Sequence, residues 1–224
     1  TDALKLGRKE YKFKVLLGQF PYLPVLDEIV SQTDIQTEQN MGLVQIPLEF
    51  VVGTSTMGRT YAFAANFMPI LAEGTEFALK WANLADAQVN EGIRDPIKVY
   101  EYMNRYYVVE GNKRVSVLKY FNAVSIPAIV IRKIPKLSDD YDVRLYYEYM
   151  RFNEITGLCS VEFTKLGNAD KLLSLVGKEG RWDDETKEKF AKVMFDFSKV
   201  YNFRGGDRLD IKLGDAITVF MEVF

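Results

Sequence analysis

The stretch YVVEGNKRVSVLKYFNAVSIPAIVI, residues 107–131, decides the fold that the sequence predicts. Its first residues are β-branched or aromatic, which is typical of a strand. Gly111 then marks a sharp turn into a helix over residues 112–121, and Asn122 can adopt the left-handed conformation that ends such a helix. A further strand is predicted over residues 125–134. Strand, turn, helix and strand in this order indicate an α/β unit.

The turn at Gly111 is the strongest candidate for a binding site in the sequence. The first N–H groups of a helix have no intrahelical partner and carry the positive end of its dipole, so they attract anions. Gly111 lets the backbone approach a ligand without a Cβ, and Asn112 opens the helix. Lys113 adds a point charge and Arg114 a planar fork that suits bidentate phosphate binding. The alternative is an ordinary strand–turn–helix joint whose cations are solvated.

The segments before this α/β unit are also predicted to include both strands and helices. Residues 96–102 and 106–110 have the pattern of a hairpin, and residues 75–90 have helical spacing. Residues 42–52 indicate a strand, and the small residues at 53–60 indicate a loop. We therefore expect an α+β fold with mixed α/β character, built on a small mixed sheet with helices.

The two flanks of the chain are predicted to be helical. Residues 2–18 indicate an amphipathic helix, residues 25–30 a short helix, and residues 31–40 a loop. Four residues of the first helix are expected to share one face: Leu4, Tyr11, Val15 and Leu16. Beyond Pro135, helical spacing recurs over residues 139–155, 168–176 and 184–201, and the aspartates around residues 203–216 indicate a solvated turn. The predicted segments are an N-terminal helical arm (1–42), a central domain (43–134) and a C-terminal helical portion (135–224).

The composition narrows the chemistry. The 224 residues include no histidine, which removes the commonest general base and the commonest metal ligand. A single cysteine, Cys159, excludes an internal disulfide and a thiolate metal cage, and the sequence assigns no metal-ligating residues. The formal net charge is -2, whereas a protein whose whole surface binds nucleic acid usually has an excess of basic residues. No apolar run reaches the ~20 residues that cross a bilayer, so we expect a cytoplasmic location and no membrane partner for this segment.

A longer pattern around the turn resembles a known family. The order DPIKVYEY, then YYVVEGNKRVSVLKYFNAVSIPAIVIR, is similar to the N-terminal domain of ParB proteins and its sulfiredoxin-like relatives. Upstream, LVQIPLEFVV is similar to the family's first strand, and FALKWANLADAQVNEGIRDPI to its helix. The resemblance covers about residues 43–133 and extends to ParB-like domains of longer Firmicutes proteins.

The resemblance implies a nucleotide ligand. ParB-type domains bind CTP, and sulfiredoxins bind ATP, at the turn that corresponds to residues 111–114 of this chain. Carried over by position, four residues of the turn contact the phosphates: Gly111, Asn112, Lys113 and Arg114. The facing loop adds four polar side chains: Arg59, Thr54, Ser55 and Thr56. The resemblance does not decide whether the nucleotide is CTP or ATP.

Three departures from the family pattern bear on activity. The chain has GNKR where ParB proteins usually have GERR, which puts a ParB-like CTP switch in question. The turn lacks the catalytic cysteine of sulfiredoxins, which excludes their reaction. Glu110 occupies a position that is acidic in kinase-like relatives, where it would hold Mg²⁺ or act as a base. The other interpretation of Glu110 is a strand-end carboxylate paired with Lys113 or Arg114.

These observations give one leading hypothesis and two alternatives. The leading hypothesis is a ParB-like regulatory module that binds a nucleotide or another phosphorylated small molecule at the Gly111–Arg114 turn. The first alternative is a small-molecule kinase or phosphotransferase that uses Glu110 and Mg²⁺. The second is a DNA-binding, partition-like protein, which the acidic composition and the missing recognition-helix pattern disfavour.

Overall fold

The computed structural model describes residues 2–178 and 180–223, without the side chains of Arg59 and Asp207. The chain divides into two compact units, Thr1–Lys136 and Leu137–Phe224. None of the helices described in these ranges combines the length and apolar character that crossing a membrane requires.

A mixed sheet of five strands organises the first unit. The strands are β1 (Ile35–Pro47), β2 (Val51–Thr54), β3 (Ile97–Tyr102), β4 (Arg105–Glu110) and β5 (Ser125–Pro135). They lie in the order β1-β5-β3-β4-β2. The β1–β5 and β3–β4 pairs are antiparallel, whereas the β3–β5 and β2–β4 pairs are parallel. The predicted α+β fold with a small mixed sheet is confirmed.

Helices cover the sheet of the first unit. They are α1 (Asp2–Leu16), α2 (Leu26–Ile29), α3 (Glu76–Asn90) and α4 (Asn112–Tyr120). Thr75 begins α3, because its side chain accepts a hydrogen bond from the N–H of Ala78 at 3.2 Å. Trp81 of α3 donates its indole N–H to the Oγ of Ser116 in α4 at 2.8 Å, and both residues are buried. This bond fixes α3 against α4 beside the turn.

The alternation of side chains along the strands builds a core on each face of the sheet. Ile97 and Val99 of β3 pack with Val115 and Leu118 of α4 in the larger core. On the other face, Tyr107 of β4 packs with residues of α2 and its flank, Leu26 and Val30. The turn at Gly111 therefore follows a strand whose central residues, 106–108, are buried.

A buried ion pair links β3 to β5. Glu101 and Arg132 are register partners in these parallel strands, and the Nε of Arg132 donates to Glu101. Their side chains are 0% and 5% exposed, respectively. The N–H of Asn104 donates to the second carboxylate oxygen of Glu101 at 2.8 Å. Because both charges are desolvated, the loss of either partner is expected to be strongly destabilising.

The second unit is helical. Its helices are α5 (Tyr141–Thr156), α6 (Asn168–Val176), α7 (Asp184–Phe203) and α8 (Leu213–Val223). Phe152, Leu172, Phe190 and Ile217 each contribute to one apolar core. Buried Asp215 accepts hydrogen bonds from the N–H and Oγ1 of Thr164, at 2.6 and 2.7 Å, and from Asn168 at 2.7 Å.

Several sequence predictions for individual elements were wrong. Residues 35–40, predicted as a loop, lie in β1, an edge strand with exposed polar side chains and no hydrophobic alternation. The strand predicted over residues 42–52 is divided by a 3₁₀ turn at Leu48–Phe50, which follows Pro47. Asp215 belongs to α8 and is buried, whereas the sequence indicated a solvated turn there.

The face predicted for α1 was also wrong. Leu4 is buried and Tyr11 is half-buried, but Val15 and Leu16 are 52% and 82% exposed. Residues 3, 4 and 7 form the buried face of α1 instead. The sequence pattern alone could not distinguish two apolar stripes on one helix, of which only one is covered.

Candidate functional site

The turn after β4 requires glycine at position 111 for two reasons. Gly111 has a φ of 111°, a backbone conformation that residues with a side chain rarely adopt. A Cβ placed there would lie 2.5 Å from the Cγ2 of Ile97, which is fully buried in β3. This close approach sets the N-terminus of α4 directly against the sheet.

Arg114 ties the turn to the segment that precedes β3. Its Nη1 donates to the backbone carbonyl oxygens of Asp95 and Pro96, at 3.2 and 2.5 Å. Its side chain is 20% exposed, and its Nη2 lies 3.9 Å from a carboxylate oxygen of Glu110. Both hydrogens of Nη1 are engaged by the backbone, so this guanidinium holds the first turn of α4 in place in the structure described.

Glu110 forms an ion pair across the hairpin. Its carboxylate lies 2.8 Å from the Nζ of Lys98, its register neighbour in β3. Hydrogen bonding to Lys98, together with the charges of Lys98 and Arg114, lowers the pKa of Glu110 below its ordinary value. A carboxylate whose pKa is lowered is a weaker general base. Lys98 was not among the partners that the sequence indicated for Glu110.

The loop after β2 is hydrogen-bonded to the turn. The Nδ2 of Asn112 lies 3.4 Å from the Oγ1 of Thr54, which donates to the carbonyl oxygen of Val108 at 3.1 Å. The N–H of Ser55 donates to the same carbonyl at 2.9 Å. Thr54, Ser55 and Asn112 are all buried. Within the described residues, the Oδ1 of Asn112 is buried and has no hydrogen-bond partner.

The other two predicted loop residues are placed differently. Thr56 is exposed. Arg59 lies in the 3₁₀ segment Met57–Ala62, and its side chain is outside the described part of the structure. The structure thus brings Thr54, Ser55 and Asn112 into one hydrogen-bonded cluster.

A cavity of about 350 Å³ adjoins the N-terminus of α4. It lies between the 3₁₀ segment, the first turns of α3 and the second residue of α4. The lining residues come from four separate parts of the chain: Gly58, Tyr61, Ala62, Leu71, Glu76, Phe77, Lys80 and Lys113. Its volume is within the range of roughly 300–1,000 Å³ of small-molecule sites.

Two lysines and two aromatic rings determine the chemical character of this cavity. The Nζ of Lys113 lies 4.9 Å from the centroid of the Phe77 ring, a cation–π contact. Lys80 pairs with Glu76 at 2.5 Å, one turn apart on α3. Hydrogen bonding to Lys80, with smaller effects of the charges of Lys80 and Lys113, lowers the pKa of Glu76. Among the described lining residues, two cations therefore lie beside one anion.

Of the site residues predicted from the sequence, Lys113 lines this cavity, whereas most of the other lining residues were not among the predicted ones. Tyr61, Phe77 and Lys80 carry no recognisable motif, and the predicted loop supplied only Gly58 among the described lining residues. Phe77 also packs against the larger core. Only the tertiary packing of α3 against α4 reveals that Phe77 also borders an open cavity.

The side chains near the turn do not fit a protein-held Mg²⁺. Among the described residues, no group of three or more carboxylates or other metal-ligating side chains is assembled. Glu110 is engaged by Lys98, and Glu76 by Lys80.

The comparisons with known proteins concern the fold alone. No protein-family model matches the sequence, and no curated protein matches it. Among solved structures, the chain is similar to a sulfiredoxin from Arabidopsis thaliana, with 20% identity over 39% of this chain and 82% of that one, at a TM-score of 0.28. Sulfiredoxin is one of the two groups that residues 43–133 resemble in sequence.

The other group is represented by the C-terminally truncated chromosome-partitioning protein ParB from Caulobacter crescentus, which was solved as a complex with CTP-gamma-S. The identity is 15% over 60% of this chain, and the TM-score is 0.28. The match spans 61% of the ParB chain, less than two thirds of its length.

Proposed function

We propose that this chain is a binding module that captures a nucleotide or another phosphorylated small molecule in the cavity beside α4. The observation that carries the proposal is the position of Lys80 and Lys113, which line one cavity with Tyr61 and Phe77 at the start of a helix. Two ammonium groups and a helix N-terminus favour a phosphate. Two aromatic rings favour the flat face of a base.

Each part of the site has its own role in this proposal. Lys80 and Lys113 neutralise the phosphates, and the N–H groups at the N-terminus of α4 add the positive end of the helix dipole. Arg114 holds that turn against the carbonyls of Asp95 and Pro96, so it positions the site. The Oδ1 of Asn112, which is buried and has no hydrogen-bond partner among the described residues, suits a donor from the ligand or from an ordered water.

The electrostatics favour a binding module over a phosphotransferase that uses Glu110. A general base works best with a pKa near the operating pH, and the pKa of Glu110 is shifted in the opposite direction. Its carboxylate is also paired with Lys98. The resemblance of residues 43–133 to ParB and sulfiredoxin domains makes CTP and ATP the first ligands to test.

A thermal-shift screen tests this function. ATP, ADP, CTP, GTP and inorganic phosphate are added with and without Mg²⁺ to the wild-type chain, to Lys113→Ala and to the exposed-lysine control Lys136→Ala. A ligand at 100 times its Kd stabilises the folded state by about 2.7 kcal/mol, which raises Tm by roughly 5–10 °C. We expect a shift in the wild type and the control that is lost in Lys113→Ala. The absence of a shift with every ligand would overturn the proposal.

A further inference from the structure

The orientation of α1 is fixed by its buried face. Ala3 and Leu4 are buried, and Ala3 packs into a small core that includes Trp81. A Cβ at Gly7 would collide with the backbone carbonyl oxygen of Pro69, so the helix lies directly on that segment. Tyr11, on the same side, makes an edge-to-face contact with Tyr22 at 5.3 Å. The opposite side of α1 therefore faces outward.

An apolar stripe runs along this outer side. Leu6, Phe13 and Leu17 are spaced by seven and four residues, which places them on one line of a helix. Leu17 continues the helical pattern, since its N–H donates to the carbonyl oxygen of Phe13 at 3.1 Å. The three residues are 47%, 54% and 52% exposed. Their exposure identifies a second apolar stripe on α1 that the first unit does not use for its own core.

A basic stripe lies beside the apolar one. Lys5, Arg8, Lys9 and Lys12 are all exposed, and their helical positions place them along one edge of the outer face. Lys5 pairs with Asp2 at 3.1 Å, and both side chains remain largely in solvent. The helix is strongly cationic although the whole chain has a formal net charge of -2. Four of the five basic residues of α1 therefore lie along one edge of its outer face.

We propose that the outer face of α1 docks on an anionic lipid bilayer. A helix with leucine and phenylalanine on one stripe and lysines on the next lies in the interface between headgroups and acyl chains. The lysines contact anionic headgroups, and Leu6, Phe13 and Leu17 enter the apolar boundary. This goes beyond the sequence expectation of no membrane partner, which considered only the length needed to cross a bilayer.

The charge and the shape of the outer face of α1 favour an anionic bilayer over other binding partners. A second copy of the chain would bring two cationic stripes together, which costs energy through like-charge repulsion. A single helix presents a convex surface, and a bilayer accepts such a surface without a preformed groove. The high exposure of Phe13 and of Leu16, which is 82% exposed beside the basic stripe, suits insertion between headgroups.

Vesicle co-sedimentation tests the proposal with the 224-residue chain. The vesicles contain phosphatidylcholine with 30% phosphatidylserine, or phosphatidylcholine alone. Phe13→Ser/Leu17→Ser removes the apolar contact, and Lys9→Gln/Lys12→Gln removes two charges. The matched control is Val124→Ser/Lys136→Gln, which changes an exposed valine and an exposed lysine elsewhere in the first unit. Circular dichroism melts confirm that each variant is folded.

We expect the wild type and the control to sediment with the anionic vesicles and to be released by salt. Each lysine near an anionic surface contributes about fivefold to the partition coefficient, so the lysine variant should bind about 30-fold more weakly. The serine variant should stay in solution. The proposal would be overturned if the wild type failed to sediment or bound neutral vesicles equally well. It would also be overturned if both variants bound as strongly as the wild type. Two other results would assign the outer face of α1 to a different partner and would also overturn the proposal. One is a concentration-dependent dimer that the serine substitutions abolish. The other is binding to nucleic acid that only the lysine substitutions abolish.

Discussion

Gly111→Ala is expected to destabilise the first unit through two separate effects. The backbone at Gly111 has a φ of 111°, so any Cβ there introduces conformational strain. The same Cβ would also lie 2.5 Å from the Cγ2 and 3.1 Å from the Cβ of Ile97. Ile97 is fully buried in β3, so it cannot move aside without disturbing the core.

The magnitude follows from the sum of these effects. A left-handed conformation at a residue with a side chain costs about 1–2 kcal/mol. Overpacking a dense core by one methyl group costs about 1–3 kcal/mol. We therefore expect Gly111→Ala to lower the free energy of unfolding by about 2–5 kcal/mol. The matched control is Gly92→Ala, because Gly92 has a φ of 76° and no atom within 4 Å of the added Cβ.

Urea denaturation, followed by the fluorescence of a tryptophan in the first unit, measures the difference in stability between the two glycine variants. The chain has two tryptophans, Trp81 in the first unit and Trp182 in the second. A Trp182→Phe background leaves Trp81 as the reporter, and its bond to Ser116 makes it sensitive to the packing of α4. Each glycine variant is compared with this background at constant m-value.

We expect Gly111→Ala to be at least about 1 kcal/mol less stable than Gly92→Ala, since this is the smallest cost of overpacking. Equal stability of the two variants would show that Ile97 does not restrict the turn. The account of how Gly111 brings the N-terminus of α4 against the sheet would then be wrong.

Three further predictions concern buried polar groups of the first unit. Ser116→Ala removes the acceptor of the Trp81 indole N–H and should cost about 1–3 kcal/mol in urea unfolding; an unchanged midpoint would contradict the bond. Arg132→Met removes an ion-pair partner of the buried Glu101 carboxylate and should cost about 3–5 kcal/mol by the same assay; a neutral effect would refute this. Burial lowers the pKa of Lys119 from 10.5 to about 8, so the unfolded chain binds more protons between these pH values. Stability should therefore rise with pH across that window, and the rise should be smaller in Lys119→Met; identical pH profiles would exclude the shift.

The local features of the site could be predicted from sequence because each one has a local physical cause. Gly111 followed by a helical segment predicts a strand–turn–helix joint, and the structure has α4 at Asn112–Tyr120. The strands of the hairpin, β3 and β4, were also predicted from β-branched and aromatic residues. By contrast, the polar half of β1 carries no such pattern, because an edge strand with exposed side chains has no apolar alternation.

The cavity could not be predicted because its lining residues are distant in sequence. Tyr61, Lys80 and Lys113 meet only through the packing of the 3₁₀ segment and α3 around the start of α4. The partner of Glu110 was missed for the same reason, since Lys98 lies opposite it through the register of β3 and β4. Sequence motifs and residue spacing do not predict non-local contacts of this kind.

Isothermal titration of a phosphate series tests the central claim most directly. Cytidine and adenosine, with their monophosphates and triphosphates, are titrated into the wild type, into Lys80→Ala/Lys113→Ala and into Lys136→Ala. The account predicts that affinity rises with the number of phosphates and that the double variant loses about tenfold per lysine, whereas Lys136→Ala binds as the wild type does. Absence of binding heat for every ligand, or unchanged affinity in the double variant, would contradict the assignment of this cavity to a phosphorylated ligand.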